Sequence, residues 1–389
     1  MKLKLPSFSK TSVLQITFYL FVNVLFILKY LPRAGVSSHI FISIYLVVIF
    51  FTLYLYKIYS NKISEKIFRI GYWVLLLLMI FVIIGMLLGI DRYSVRVDRW
   101  SAVSFFLDNL FRGIYPYSAH THVSNTNFPS PFPFWYIINI PFYLLGDVGY
   151  GLIFFLLLTA IIVKQFFLTY RKSFIFILLI CFAPAYWWEV AVRSDSLSNS
   201  LLVFVFLLWF IKKGYTLSNN LWLSMIVCGL IASTRLSAIL PLALFYFKPF
   251  ININWKSKIY FILGVLGIAF LTFIPFIFWD TKNWIFFSRN PFMSQTSIGN
   301  SYLLPIMIIL GCFLAFKWKN SSRFFNIVSL FIFVFIATTQ ISLILTHGIH
   351  GSIFTDSLYD ISYFSLLLPY CLAFITSDMH NQDKALSHN

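Results

Sequence analysis

The stretch Ile70-Gly71-Tyr72-Trp73-Val74-Leu75-Leu76-Leu77-Leu78-Met79-Ile80-Phe81-Val82-Ile83-Ile84-Gly85-Met86-Leu87-Leu88-Gly89-Ile90 runs from Arg69 to Asp91 without a charged residue. It matches the ~20 apolar residues with which a helix crosses the hydrocarbon layer, and is far longer than the ~10-residue alternating segments of an outer-membrane strand. Similar runs recur along the chain. With 60% hydrophobic and only 11% charged positions among 389 residues, there is too little polar surface for a water-soluble fold. The expected fold class is all-α, a polytopic transmembrane helical protein.

Working outward from that run, spans are predicted near Ser12–Leu28, His39–Tyr56, Ile70–Ile90, Val148–Leu168, Ser173–Val190, Leu197–Ile211, Asn220–Ser233, Leu236–Phe247, Ile259–Trp279, Ser301–Phe316, Phe324–Thr346 and Tyr359–Thr376. The first run ends at Lys29 without a small-residue cleavage pattern, so it is expected to stay as a span rather than be removed as a signal. Pro131–Gly146 is left out of the spans. It is short, carries Pro131, Pro133 and Pro141, and is rich in Trp and Tyr, which suits a segment lying in the interface. Asn220–Phe247 reads as two short helices meeting at Ser233-Thr234-Arg235, with one tilted span as the alternative.

The net charge of +17 would suggest a nucleic-acid partner in a soluble protein, but in a membrane protein the placement of charge decides. In this layout the clusters Lys2/Lys4/Lys10, Lys57/Lys62/Lys66/Arg69, Lys164/Arg171/Lys172, Lys212/Lys213, Lys248/Lys256/Lys258, Lys317/Lys319/Arg323 and Lys384 all fall on one side. That side is read as the cytoplasm of a plasma (inner) membrane protein, with both termini inside. Nine of the twelve acids fall opposite: Asp91, Asp98, Asp108, Asp147, Glu189, Asp195, Asp280, Asp356 and Asp360. Acids and arginines at a membrane edge are costly unless paired or used, so the chemistry is expected there. Cys181, Cys228, Cys312 and Cys371 sit in apolar runs without CxxC spacing and suggest neither a disulfide framework nor zinc.

The longest non-spanning stretch, Asp91 to Gly146, opens with Asp91-Arg92-Tyr93-Ser94-Val95-Arg96-Val97-Asp98-Arg99-Trp100. At 100° per residue, Trp100, Val103, Phe106, Leu107, Leu110 and Phe111 share one face and Asp98, Ser101, Asp108, Asn109 and Arg112 the other. A helix on the membrane surface is predicted, with Asp98 at the water boundary, where a carboxylate can act as a general base. The structural alternative is an ion pair from Asp98 to Arg96 or Arg112. His120 and His122, and His347 and His350, have no HExxH pattern and are not assigned a metal; a cation, if used, would be Mg2+ or Mn2+ on oxygen ligands. Most of the 47 Phe are lipid-facing bulk, whereas Trp135, Tyr136, Trp187 and Trp188 share the edge that holds the acids.

These segments resemble a known group. An acid after an early span, then Gly113-Ile114-Tyr115-Pro116-Tyr117, then Phe128-Pro129-Ser130-Pro131-Phe132-Pro133-Phe134-Trp135-Tyr136 ending in Leu144-Leu145-Gly146, is similar to the first outer loop of the GT-C membrane glycosyltransferases. That superfamily includes protein O-mannosyltransferases and the aminoarabinose transferase of lipid A. Ala191-Val192-Arg193-Ser194-Asp195-Ser196-Leu197 resembles its Asp-bearing helix start, and Gly229-Leu230-Ile231-Ala232-Ser233-Thr234-Arg235 before Leu240-Pro241-Leu242 its small-residue stretch. The acidic loop follows the third span here rather than the first, and no paired Asp-Asp or Asp-Glu follows.

The resemblance implies an N-terminal pair of spans (1–69), a catalytic module (70–258) with the outer loop 91–146, and C-terminal spans with a short tail (259–389). It implies transfer of a sugar from a polyprenyl-phosphate donor to a lipid, glycan or protein acceptor outside the cytoplasm, with inversion. Asp98 would be the base and Asp91 the reserve. Arg193 and Arg235 would hold the donor phosphate, with Asp195 orienting Arg193, because a guanidinium matches phosphate oxygens bidentately. Tyr115, Tyr117, His120, His122 and Trp135 would contact sugar or acceptor. No nucleic acid is expected. A lipid-linked oligosaccharide flippase or an O-antigen or capsule polymerase shares the span number, but the flippase is expected to carry internal repeats and the polymerase a large loop late in the chain.

The layout predicts that cysteines placed at Ser118 and Ser294 react with an impermeant thiol reagent from outside, while one at Ser257 does not. Outside labelling at Ser257 would reverse the sidedness of everything after Asn220.

Overall fold

In the computed structural model, residues 9–282, 290–296, 302–355 and 359–386 are described; Lys2, Lys4, Ser301 and Asp356 lie outside them. The described residues form helices and no strand. The first twelve helices are α1 (Lys10–Tyr30), α2 (Ser38–Tyr59), α3 (Glu65–Gly89), α4 (Arg99–Phe111), α5 (Pro133–Leu144), α6 (Tyr150–Phe167), α7 (Tyr170–Cys181), α8 (Pro184–Ala191), α9 (Asp195–Lys213), α10 (Leu221–Ala232), α11 (Ile239–Asn252) and α12 (Trp255–Trp279). Pro291–Thr296, Leu303–Lys317, Ser321–Ile349 and Leu368–Leu386 are also helical.

Among the described residues, 8 helical segments are long and apolar enough to cross a membrane. They are Lys10–Arg33, Ser38–Tyr59, Glu65–Gly89, Tyr150–Phe167, Asp195–Lys213, Trp255–Trp279, Ser321–Phe354 and Ile361–Met379. The predicted span Ser173–Val190 is instead a pair, α7 and α8, bent by 62°. Pro184 explains the break: proline disfavours a helical residue before it and has no N–H to continue the ladder. The predicted spans Asn220–Ser233, Leu236–Phe247 and Ser301–Phe316 are the apolar helices Leu221–Ala232, Leu236–Asn252 and Leu303–Lys317, each short of the ~20 residues that a full crossing takes. Residues 220–247 do break in two. Ser233 ends α10, and Arg235 is extended (φ −156°, ψ 152°) before a 3-10 turn leads into α11.

The chain forms two compact units. The first comprises Met1–Val82, Leu157–Glu189 and Trp318–Asn389. In its interior several long polar side chains meet a definite partner, as an apolar surrounding favours. The buried Gln15 amide donates to Asn326 Oδ1 at 2.8 Å and accepts from Ser329 Oγ at 2.8 Å. Asn23 donates to the Tyr19 carbonyl and accepts from the Ala185 N–H, tying α1 to the start of α8.

The second unit comprises Ile83–Leu156 and Val190–Lys317. Its helices α10 and α12 pack closely because both present glycine: a Cβ on Gly229 would meet Ile268 Cβ at 2.8 Å and the Val265 carbonyl at 2.9 Å. The Pro/aromatic segment is clipped to the break after α10 by two backbone bonds, Phe132 N–H to Thr234 O (2.9 Å) and Phe134 N–H to Ser233 O (3.1 Å). Pro133, at the first position of α5, has no N–H to satisfy.

The predicted helix after Asp98 is α4, with Trp100, Val103, Phe106 and Leu107 buried as expected. One position corrects the surface-helix expectation. Ser101, assigned to the water face, is fully buried, whereas Phe111, on the apolar face, is 54% exposed, as a residue turned toward lipid can be. Ser101 can be buried because His122 supplies partners for its hydroxyl.

Candidate functional site

The catalytic, phosphate-binding and sugar-contacting residues expected from the sequence lie in the second unit, and they divide into two clusters and a braced loop. The first cluster is a clasp. Arg193 stands between α8 and α9 at φ +52°, a left-handed conformation that costs a residue with a Cβ roughly 1–2 kcal/mol. Its side chain, 2% exposed, donates from Nε to Asp147 Oδ2 at 2.7 Å. A terminal nitrogen donates to the Leu87 and Ile90 carbonyls at 2.7 and 3.0 Å. These carbonyls end α3, where helical partners run out and a cation is favoured. Asp147 in turn accepts from the Gly149 N–H at 2.8 Å. A Cβ on Gly149 would lie 2.6 Å from Leu87 and 3.0 Å from Arg193. Arg193, expected at the donor phosphate, thus has Nε and one terminal nitrogen engaged by protein oxygens.

The second cluster centres on Asp195, which is 6% exposed at the first position of α9. Its carboxylate pairs with Arg235 and, at 3.8 Å, with Arg99; Arg99 also donates to Ser196 Oγ. The N-terminal turn of a helix favours a carboxylate, so α9 contributes to holding it. Asp195, expected to orient Arg193, pairs instead with residues from α4 and from the break after α10. That break is fixed from several sides. Asn199 donates to Thr234 Oγ1 at 2.8 Å, and Gln295 accepts from the Leu236 N–H at 2.7 Å while donating to the Ser130 carbonyl at 2.6 Å.

The braced loop carries Asp98, half-buried and immediately before α4. Its carboxylate accepts from Asn127 Nδ2 at 3.1 Å. Among the described residues it has no ion-pair partner, so the suggested pairs with Arg96 or Arg112 do not form. Its carbonyl accepts from the Ala102 N–H and the Ser101 hydroxyl. His122 stiffens this corner: Nδ1 lies 2.7 Å from Ser101 Oγ and Nε2 2.9 Å from the Val95 carbonyl. A carbonyl only accepts, so Nε2 carries a proton and the ring acts as a brace.

The other expected residues separate by exposure. Asp91 is exposed and caps the Tyr93 N–H of a turn, while His120 is exposed with its ring 4.8 Å from Phe128. Tyr117 and Trp135 are buried: Tyr117 donates to the Pro131 carbonyl, and Trp135 stacks on Phe155. As core residues these two do not offer rings to a sugar at the surface. Tyr115 is also buried. Burial and then Asp280 push its phenol up to about 12, and its hydroxyl has no partner among the described residues. Tyr143, bonded to Asp108, is raised to about 12 by that bond first, so at neutral pH both phenols are donors. Among the described residues no group of three His, Cys, Asp or Glu gathers for a metal.

Arg99, Asn127 and Asp147 were not singled out as site residues from the sequence. Arg99 had a usable signal, since it follows Asp98 directly and opens the helix that carries it. Asn127 and Asp147 had none beyond sharing the outer edge. Comparison with family models, curated proteins and solved structures gives no match.

Removing one member of a buried ion pair strands its partner, so Asp195→Asn is expected to destabilise the protein by roughly 3–5 kcal/mol. Thermal unfolding in detergent checks this. Asp91→Asn, at an exposed turn, is expected to unfold with the wild type.

Proposed function

We propose that this chain is a membrane glycosyltransferase of the GT-C type, moving a sugar from a polyprenyl-phosphate donor to a hydroxyl acceptor at the extracytoplasmic face. The observation that carries the reading is the contrast among its aspartates. Asp147 and Asp195 are tied to guanidiniums and Asp91 to a turn. Asp98, half-buried with, among the described residues, only an amide donor on its carboxylate, can take a proton without breaking an ion pair. A general base needs that freedom together with a fixed position, and the His122 brace and Asn127 supply the latter.

In the reaction, Asp98 receives the acceptor proton as its oxygen attacks the anomeric carbon. The bond to the phosphate oxygen breaks, and its electron pair leaves with polyprenyl phosphate. Charge grows on that phosphate, so a guanidinium beside it stabilises the transition state more than the bound donor. Arg235 takes this role, with Asp195 setting its position and Arg99 adding positive charge on the same carboxylate. The full reading keeps about a dozen crossings, counting the bent pair α7–α8 and the three short helices as membrane segments. It also keeps both termini in the cytoplasm, with a lipid, glycan or protein acceptor; Mg2+ or Mn2+ would enter only with the substrate phosphate.

Purified protein in nanodiscs, given a polyprenyl-phosphate sugar and a hydroxyl acceptor, is expected to release free polyprenyl phosphate. Asp98→Asn should lower that turnover by roughly 10²–10⁴-fold, with donor affinity nearly intact, and Asp91→Asn should not. The reverse order would move the base to Asp91. Movement of a lipid-linked sugar across a vesicle membrane, with no release from any donor, would make the protein a flippase.

A further inference from the structure

The aromatic residues behind Arg235 contain a donor that the packing does not explain. Tyr136, on α5, is 1% exposed. Its ring stacks on Phe106 of α4 and meets Tyr117 edge-on. Every apolar atom of the ring is thus accounted for, yet the hydroxyl has no hydrogen-bond partner among the described residues. A buried hydroxyl without a partner loses its hydration for nothing, and phenylalanine would fill the same space at lower cost. Such a group calls for a partner, and what distinguishes Tyr136 from other buried phenols without one, such as Tyr186 and Tyr246, is its surroundings.

Those surroundings indicate what the partner is. The backbone bonds of Phe132 and Phe134 to Thr234 and Ser233 fix the start of α5 beside the residue before Arg235. Tyr136 follows Phe134 by two positions, and its phenol is within electrostatic reach of both Asp195 and Arg235. Burial first, then Tyr117 and Asp195, hold that phenol well above its ordinary range against an opposing effect from Arg235, so it is a donor at any physiological pH. A protonated, desolvated hydroxyl within electrostatic reach of a guanidinium fits an anion that has several oxygens to share.

We infer that the Tyr136 hydroxyl is a catalytic hydrogen-bond donor to the phosphate of the lipid-linked sugar, acting with Arg235 on the oxygen that leaves. The inference rests on the transferase reading above. The anomeric C–O bond breaks, its electron pair stays on the phosphate oxygen, the acceptor proton goes to Asp98, and the phenol keeps its own proton throughout. The hydrogen bond strengthens as charge develops, so its loss appears in turnover more than in binding.

Tyr136→Phe removes only the hydroxyl. In nanodiscs, release of polyprenyl phosphate is expected to fall by about 10²-fold, the order seen when one oxyanion donor is lost. Donor affinity should change much less, and the melting temperature should hold or rise, because an unsatisfied buried group is gone. A purely packing role would leave turnover unchanged, because phenylalanine keeps the stacked ring. Phe106→Leu, which disturbs the stack and leaves the hydroxyl, controls for general disruption: an equal turnover loss there, with a lowered melting temperature in both variants, would overturn the inference. Turnover of Tyr136→Phe within about twofold of wild type, while Asp98→Asn remains inactive, would overturn it and leave the transferase standing. Absence of release by the wild type with any donor would overturn both.

Discussion

The carboxylate of Asp195 meets the guanidiniums of Arg235 and Arg99 out of reach of water, and three otherwise separate pieces of chain converge on that contact. One is the first turn of α9, one the start of α4 next to Asp98, and one the break between α10 and α11. Charges taken out of water are held only by good geometry and by satisfied neighbours. Both are present: the α9 N-terminus favours the carboxylate, Ser196 accepts from Arg99, and Asn199, Gln295 and the Phe132–Phe134 clip immobilise the residues around Arg235. Because Arg99 is also the first residue of α4, the contact that fixes Arg235 fixes the residue after Asp98.

Two arginines of the second unit thereby come to different uses. Arg193 closes the end of α3 against Asp147, a task that consumes its fork and needs the left-handed backbone on which it sits. Arg235 is held, among the described residues, by one carboxylate and lies within electrostatic reach of a buried phenol that has no hydrogen-bond partner among them. The first arrangement is a structural clasp. The second is suited to an anionic visitor, and this difference separates positioning from chemistry in the proposed site.

Much of the fold was legible because membrane helices announce themselves by length and hydropathy alone. The run from Ile70 to Ile90 became the last part of α3, the residues after Asp98 became α4, and the break near Ser233 fell where its polar residues suggested. Contacts were less legible. Arg193 and Asp195 are two positions apart, so a pair between them was the natural reading, yet the turn at φ +52° separates them and each finds a partner more than 30 positions away. Ser101 was misassigned for a similar reason: helical periodicity assigns a serine to the wet face, and only the return of His122 across the chain makes its burial tolerable. Trp135 and Tyr136 read as edge rings because composition does not distinguish an interfacial aromatic from a core one.

The central claim is that Asp98 and Arg235 face the two ends of one reaction, and a cryo-EM map of the protein in nanodiscs with polyprenyl phosphate tests it most directly. The account predicts phosphate density within hydrogen-bond distance of the Arg235 guanidinium, with the Asp98 carboxylate opening onto the same cavity. Phosphate held elsewhere on the protein, with the Arg235–Asp195 pair closed and untouched, would contradict it.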